Sequence, residues 1–237
     1  MDGTRWVMAY ECDGTGCRVT GVVRPAVGRG VDVGREGQLA LGVEVPNTQV
    51  SRRAVTVTPT ASGWRVTVTN RNGAVLHRWG LPAELAGPTN VVDWPLLAVR
   101  TLPDTGSRQH WVLLEADDLA VSAGHGPPPV EEGSRTDLSH RPGELPPAER
   151  EALATVFAAQ LQWPPRQPAG PPLLLKQAAT LLRISISGVQ ARLQAAQRRA
   201  LRLGLDRPGG LTDPSYLYVL VRAGYLPVPR DHPHRPR

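Results

Sequence analysis

The sequence lacks any apolar run that approaches the roughly 20 residues needed for a membrane-spanning helix. Its first residues, Met1-Asp2-Gly3-Thr4-Arg5-Trp6, also lack the basic flank and the apolar stretch of a signal peptide. We therefore expect a cytoplasmic protein with no membrane partner.

Cysteine is scarce, since only Cys12 and Cys17 are present, in the segment Cys-Asp-Gly-Thr-Gly-Cys. No second pair exists to complete the tetrahedral coordination of a zinc ion. We therefore expect two thiols that flank a glycine-rich hairpin turn, with a local disulfide as the alternative and no metal site. His232 and His234, near the end of the chain, form too weak a pattern to change this prediction.

Signatures of catalysis are missing as well. The sequence has no phosphate-binding glycine-rich loop with a lysine, no Gly-x-Ser-x-Gly, and no carboxylate and histidine cluster at ligand spacing. Nothing in the sequence pairs His77, His110, Asp117 and Asp118, and histidines at strand ends are more often structural. We predict that the protein is not an enzyme and uses no cofactor.

Acidic residues are scarce in the second half of the chain. Residues 1–123 carry 12 basic and 12 acidic side chains, whereas residues 124–237 carry 15 basic and 9 acidic ones, so the net charge of +6 lies in the second part. No acid occurs between Glu151 and Asp206. This asymmetry predicts that the halves meet different partners and that the second half suits a phosphate-bearing one.

A β-domain is predicted over residues 1–121. Short segments rich in valine, threonine and tryptophan alternate in polarity, and turn residues separate them about every 8–12 positions, as in an antiparallel β-sandwich. Five of the six tryptophans lie in this part and are expected to anchor the core or its rim. The predicted strands are Val19–Val23, Ala54–Thr58, Trp64–Thr69, Leu96–Arg100 and His110–Glu115.

Helical periodicity begins after a segment rich in proline and glycine. That segment, residues 122–147, can bury no face and is interpreted as an interdomain linker. Residues 148–226 form the predicted helical domain, and residues 227–237 form a basic tail that we expect to be disordered. The predicted helices start at Pro147, run from about Leu173 to Leu182 and from about Ser187 to Leu203, and start again at Pro214 with Asp213 as N-cap.

Three segments of the β-domain carry side chains suited to a phosphate: Val33-Gly34-Arg35, Val50-Ser51-Arg52-Arg53 and Thr69-Asn70-Arg71-Asn72-Gly73. Each begins or ends a strand, so we expect their side chains to gather at one edge of the sandwich. They supply guanidinium groups, a hydroxyl and a turn amide, and a phosphate dianion prefers such a mixture of charged and neutral donors. Taken singly, the motifs also fit surface arginines and an ordinary Asn-Gly hairpin turn.

These motifs, in this order and spacing, resemble the forkhead-associated family. In that family Gly-Arg closes one strand, Ser-Arg-x-His follows, and Asn-Gly forms a turn after a strand that contains tryptophan. The resemblance implies a β-sandwich that binds phosphothreonine peptides. By it, Arg35 and Ser51 would contact the phosphate, Arg52 or Arg71 would assist, and Asn72 would hold the peptide backbone.

The resemblance covers about residues 19–115, and the start of the domain matches poorly. Residues Gln38–Gly42 stand where the family has its next strand. The main departure is Ala54, which replaces the histidine of Ser-Arg-x-His. Because that histidine mainly braces the binding loops in the family, its loss is expected to loosen the pocket without removing the phosphate ligands.

A second motif spans residues 179–193. Small and apolar residues stand where two short helices would pack together, and Ser185 can cap the second helix. The pattern is similar to the helix-turn-helix of sigma-factor region 4 and of response-regulator output domains. Arg183 stands where glycine is usual in the turn, so its backbone must become left-handed or bridging. The packing residues are Ala179, Leu182, Ile184, Val189 and Leu193.

If the second helix of this motif enters a major groove, one set of residues would face bases and another would meet the phosphate backbone. The base-facing residues would be Ser187, Gln190, Ala191 and Gln194. The phosphate-facing residues would be Arg192, Arg198, Arg199 and Arg202. A homodimer would be the expected reader of a DNA site, although the sequence has no coiled-coil heptads to form one.

Two functions therefore follow as expectations. The first is a phospho-dependent transcriptional regulator, whose β-domain reads a phosphothreonine protein made by a Ser/Thr kinase and whose helices bind DNA. The alternative is a signalling adaptor or structural partner, whose helical domain binds protein. Salt dependence separates them, because DNA binding weakens steeply with salt through counterion release.

Overall fold

In the computed structural model, the described residues divide into two compact units, one of strands and one of helices. The short segment Trp163–Pro165 belongs to the first unit. Of the predicted linker, only residues 144–147 are described, and the predicted tail lies outside the described residues from residue 230 onward. The structure describes residues 4–104, 107–119, 144–166 and 168–229.

The strands of the first unit form two sheets. One sheet has the order β2-β1-β11-β10-β7-β8, and the other has the order β4-β3-β5-β6-β9. The strands are β1 (Arg5–Cys12), β2 (Cys17–Val23), β3 (Val31–Gly34), β4 (Leu39–Ala40), β5 (Val55–Thr60), β6 (Gly63–Val68), β7 (Ala74–Arg78), β8 (Glu84–Leu85), β9 (Thr89–Val92), β10 (Leu96–Thr101) and β11 (Gln109–Ala116).

The five predicted strands are present as β2, β5, β6, β10 and β11. The strand expected at Gln38–Gly42 is the short β4, which pairs parallel to β3, so the second sheet is mixed rather than purely antiparallel. Only four residues, Arg35–Gln38, separate these two strands. The tryptophans Trp6, Trp64, Trp79, Trp94 and Trp111 are all buried, as expected.

Strand β1 escaped the pattern analysis because all eight of its residues are buried. It lies inside its sheet, between β2 and β11. A strand that is buried on both faces reads as a continuous run rather than as an alternation of polar and apolar residues. The side chains of Trp6, Met8 and Tyr10 join Trp111 in an apolar cluster on one face.

Cys12 and Cys17 flank the β1–β2 hairpin turn, as expected, and they are joined in a disulfide, which is the alternative that the sequence left open. The two residues are direct cross-strand neighbours at the end of the β1–β2 hairpin, with their Cα atoms 4.0 Å apart. The Asp13 carboxylate closes the turn by accepting hydrogen bonds from Thr15 Oγ1 at 2.6 Å and from the Thr15 amide at 2.8 Å. These bonds to Thr15 lower the pKa of Asp13 to about 2.

His77 is buried in β7, where its ring meets the Trp111 ring edge-on at a centroid distance of 4.9 Å. Burial, and secondly the charge of Arg100, lower the pKa of His77 to about 4. The folded protein therefore keeps this imidazole neutral at a pH where the unfolded chain protonates it.

We expect His77 to make the folded state less stable in acid. Between pH 6.5 and pH 4 the unfolded state binds a proton that the folded state refuses, so the free energy of unfolding falls by about 3 kcal/mol across that window and no further below it. Urea unfolding of the wild type and of His77→Gln at pH 7.5, 5.5 and 4 measures the difference. Equal pH dependence in the two proteins would remove His77 from this account.

The helices of the second unit follow the predicted 3.6-residue pattern. Helix α2 begins two residues after the expected Leu173, because the Leu173 amide donates to Val156 O and Leu174 stays extended. The N-cap of α4 is Pro214 rather than Asp213, whose carboxylate accepts from the Ser215 amide at 2.8 Å. The helices are α1 (Pro147–Val156), α2 (Leu175–Leu182), α3 (Ile186–Arg202) and α4 (Ser215–Arg222).

In the core of the second unit Phe157 and Tyr216 are fully buried and in edge-on contact, with 5.5 Å between their ring centroids. None of the helices in the described ranges has the length and the apolar character needed to cross a bilayer. The fully buried side chains include Leu153, Val156, Val189, Leu193, Leu217, Leu220 and Val221.

Candidate functional site

Three separate segments of the first unit meet around an open cavity of about 700 Å³. They are the end of β3, the segment before β5 and the β6–β7 turn. All five residues predicted to bind a phosphopeptide lie in its wall. The lining residues are Arg35, Thr48, Gln49, Ser51, Arg52, Arg53, Arg71 and Asn72.

Arg35 is held by its own backbone and by one edge of its guanidinium group. Its amide donates to Ser51 O at 3.2 Å, and its Nε donates to Val50 O at 2.7 Å. Within the described part of the chain, neither Arg35 nor Arg71 forms a salt bridge with a carboxylate. The Nη groups of Arg35 can therefore serve an anionic ligand while Nε fixes the side chain.

Ser51 is oriented as a donor. Its Oγ accepts a hydrogen bond from the Arg71 amide at 3.0 Å, and its own amide donates to Asn70 Oδ1 at 3.0 Å. Because Oγ accepts this bond from a backbone N–H through a lone pair, the Ser51 hydroxyl can still donate a hydrogen bond to an oxygen in the cavity.

The backbone around position 34, directly before Arg35, leaves no room for a side chain. A Cβ at this position would lie 2.5 Å from Arg52 O and 2.7 Å from Ser51 O. Any larger residue would force apart the two backbone segments that present Arg35 and Ser51.

Arg52 and Arg53 stand on the rim. Arg52 Nε lies 3.1 Å from Glu36 Oε1, and Arg53 Nε lies 3.7 Å from Asp32 Oδ2. Both arginine side chains are more than 70% exposed, at 74% and 73%. Exposed pairs of this kind contribute at most about 1 kcal/mol, so either guanidinium can turn to a stronger anion.

Asn70 supplies the bracing that Ala54 cannot. It is buried, its Nδ2 donates to Leu102 O at 2.7 Å and to Gly73 O at 2.9 Å, and its Oδ1 holds the Ser51 amide. Ala54 contributes only backbone bonds, since its carbonyl accepts from the Thr69 and Asn70 amides. The binding loops are thus tied together without a histidine.

We expect Asn70→Ala to lower the free energy of unfolding by about 3 kcal/mol, because it removes three hydrogen bonds to part-buried backbone groups at about 1 kcal/mol each. Asn72→Ala is the matched control, since the exposed Asn72 amide makes only a 3.4 Å bond to Gln49 O. That change is expected to cost under about 1 kcal/mol. Urea denaturation measures both, and an equal loss in the two variants would contradict the role of Asn70.

Four further residues belong to this site but were not predicted from the sequence: Thr48, Gln49, Arg53 and Asn70. Arg53 and Asn70 lie inside the quoted motifs, directly beside predicted residues, and adjacency was the only signal for them. Thr48 and Gln49 belong to a loop whose course depends on tertiary contacts, so no local pattern marks them.

In the second unit, one side of α3 faces solvent, and another side carries arginines that form ion pairs with glutamates of α1. Arg192 Nη1 lies 3.3 Å from Glu151 Oε2, and Arg199 Nη2 lies 3.8 Å from Glu149 Oε2. Arg199 also lies over the Tyr225 ring, 5.4 Å from its centroid. The residues that share the solvent-facing side by helical position, all exposed except the half-buried Gln190, are Ser187, Gln190, Ala191, Gln194, Arg198 and Arg202.

The four arginines that were predicted to face DNA phosphates therefore do not all lie on the same side of α3. The predicted base-facing residues share a face with Arg198 and Arg202. The other two predicted phosphate contacts, Arg192 and Arg199, are turned toward α1 and neutralised there by the two glutamates.

A tight turn joins α2 to α3. Arg183 adopts the left-handed conformation that its place in the turn requires, with φ 54° and ψ 40°. Ser185 caps α3 as predicted, since its Oγ accepts from the Gly188 amide at 3.0 Å. The apolar Val189 and Leu193 of α3 are fully buried.

The comparisons with known proteins add no relative: no protein-family model matches the chain, and no curated protein matches it.

Proposed function

We propose that the first unit is a forkhead-associated-like β-sandwich that binds phosphothreonine-containing segments of a partner protein, and that the protein is a reader rather than an enzyme. One observation carries this proposal. Three segments that are distant in sequence converge on a single cavity whose wall holds four arginines, a donor-oriented serine and an asparagine amide. The partner is a substrate of a Ser/Thr kinase.

In this proposal the phosphate accepts hydrogen bonds from Arg35 Nη and from the Ser51 hydroxyl. Arg71, with Arg52 as assistant, adds charge from the other side, and Asn72 binds the peptide backbone. Hydrogen bonds to charged groups contribute about 1.5–3 kcal/mol each, so unphosphorylated threonine would forfeit most of the affinity. Titration with paired peptides that differ only in the phosphate tests the proposal. Equal affinity for both members of a pair would refute it.

A second function is favoured by the exposed face of α3. We propose that α2 and α3 form a helix-turn-helix that binds DNA, with Ser187, Gln190, Ala191 and Gln194 toward the bases and Arg198 and Arg202 toward phosphates. The protein would then be a phospho-dependent transcriptional regulator, and a homodimer would be its DNA-reading form. The alternative is an adaptor whose helical unit binds protein.

Salt dependence decides between the two roles of the helical unit. When a protein binds DNA through phosphate contacts, the logarithm of its affinity falls linearly with the logarithm of the salt concentration, with a slope of about −0.9 per contact. The affinity of an apolar protein–protein contact shows no such fall with salt. Anisotropy of labelled duplex DNA between 50 and 300 mM salt measures the slope. A flat response, or no binding, would favour the adaptor.

A further inference from the structure

The cavity is shaped on one side by a loop that carries few charged residues of its own, residues 42–50. Two of its carbonyl groups orient binding residues: Val50 O accepts from Arg35 Nε, and Gln49 O accepts from Asn72 Nδ2. The geometry of the phosphate ligands therefore depends on how firmly this loop is held.

The loop is held from a strand of the other sheet by a buried carboxylate. Glu11 of β1 is completely buried, with 0% of its surface exposed. Its Oε1 accepts from the Gly42 amide at 2.6 Å, and its Oε2 accepts from the Val45 amide at 2.5 Å. The two oxygens thus satisfy backbone donors of the 42–46 turn, for which the described structure shows no other acceptor.

His110, the cross-strand neighbour of Glu11 on β11, holds the same loop at other atoms. Its Nε2 lies 2.7 Å from Val45 O, and its Nδ1 lies 3.4 Å from Asn47 Nδ2. A neutral ring with the proton on Nε2 satisfies both contacts, because Nε2–H then donates to the carbonyl and Nδ1 accepts from the amide. Asn47 Oδ1 in turn accepts from the Gln49 amide at 3.0 Å.

From these contacts we infer that Glu11, with His110 and Asn47, is the positioning group of the phosphate site. It fixes the 42–50 loop so that Val50 O and Gln49 O point Arg35 and Asn72 into the cavity. The inference rests on the proposed phosphopeptide function. It also gives a place in that function to His110, for which the sequence showed no partner.

The test is Glu11→Gln, which preserves size and shape. An amide has only one acceptor oxygen, so its NH2 group must face one of the two backbone N–H donors, and that side of the loop is released. We expect the affinity for a phosphothreonine peptide to fall about tenfold, equivalent to ~1.4 kcal/mol, at a temperature where the variant is fully folded.

Glu115→Gln is the matched control. Glu115 is equally buried, at 0% exposure, in the adjacent strand β11, but the described hydrogen bond of its carboxylate comes from Trp163 Nε1, at 2.8 Å. Its affinity for the phosphopeptide should stay within about twofold of the wild type. Equal losses in Glu11→Gln and Glu115→Gln would overturn the positioning role.

A second readout needs no peptide. The Nε–H resonance of Arg35, identified by its loss in Arg35→Lys, reports the bond to Val50 O in the free protein. We expect it to shift in Glu11→Gln and to stay unchanged in Glu115→Gln, and an unchanged resonance in Glu11→Gln would overturn the inference. If the wild type binds no phosphopeptide, the proposed function fails, while this resonance still decides whether Glu11 positions Arg35.

Discussion

Replacing Arg35 with alanine should sharply weaken the phosphate-dependent part of peptide binding. The expected loss is about 30-fold in affinity, or ~2 kcal/mol, because the change removes charge-assisted hydrogen bonds to the phosphate. Affinity for the unphosphorylated peptide should not change, since Arg35 has no role in holding it. Fluorescence anisotropy with a labelled phosphothreonine peptide and its unphosphorylated counterpart measures both quantities.

Arg65→Ala is the matched control for this experiment. Arg65 is exposed on β6, outside the cavity wall, and its removal changes the net charge by the same amount. It should leave phosphopeptide affinity within about twofold. A similar loss in both variants would mean that the long-range charge of the unit, rather than the Arg35 contact, drives binding.

Removing Arg198 and Arg202 together should have the largest effect on the second unit. Both are exposed on the face of α3 that carries the predicted base-reading residues. The double alanine variant is expected to weaken DNA binding at least about tenfold at 0.1 M salt and to reduce the slope of log affinity against log salt by about 2. Anisotropy with labelled duplex DNA at several salt concentrations measures both.

The chain offers a charge-matched control in Arg192→Ala with Arg199→Ala. These arginines carry the same charge and lie on the same helix, but they pair with Glu151 and Glu149. Their removal should change the salt slope by less than about 1, provided that circular dichroism shows the helices intact. If the two double variants weaken DNA binding equally, the face of α3 is not the interface.

The local patterns of the sequence predicted the four helices and the strands β2, β5, β6, β10 and β11, but not β1, β3, β7, β8 or β9. Alternation marked β5 and β6 because one face of each is exposed, as the burial of Val55 and Val57 between half-exposed threonines shows. Helical period marked α1 and α3 for the same reason. Strand β1 has no exposed face, so its residues carry no period, and only its pairing with β2 and β11 makes it a strand.

The side chains that line the cavity could be predicted, whereas the groups that brace them could not. Arg35, Ser51 and Asn72 sit in short motifs with recognisable chemistry. Glu11 lies 31 residues before the Gly42 amide that it accepts from, and Asn70 lies 32 residues before Leu102 O. Such partners are set by sheet register, which no local pattern specifies.

The division of the α3 arginines was likewise hidden. Arg192 and Glu151 are 41 residues apart in the sequence, and no acidic residue lies within α3 itself. In the folded protein, however, Glu151 and Glu149 of α1 pair with Arg192 and Arg199. Helical position alone separates Arg192 from Arg198, but which side meets the acidic residues of α1 depends on how α1 and α3 pack.

The most direct test of the central claim is anisotropy of a labelled, degenerate phosphothreonine peptide library with the wild-type protein, before and after phosphatase treatment of the library. We predict saturable binding that disappears with the phosphate. Binding that survives phosphatase treatment, or no binding to the intact library, would contradict a phosphothreonine-reading function and would direct attention to the helical unit.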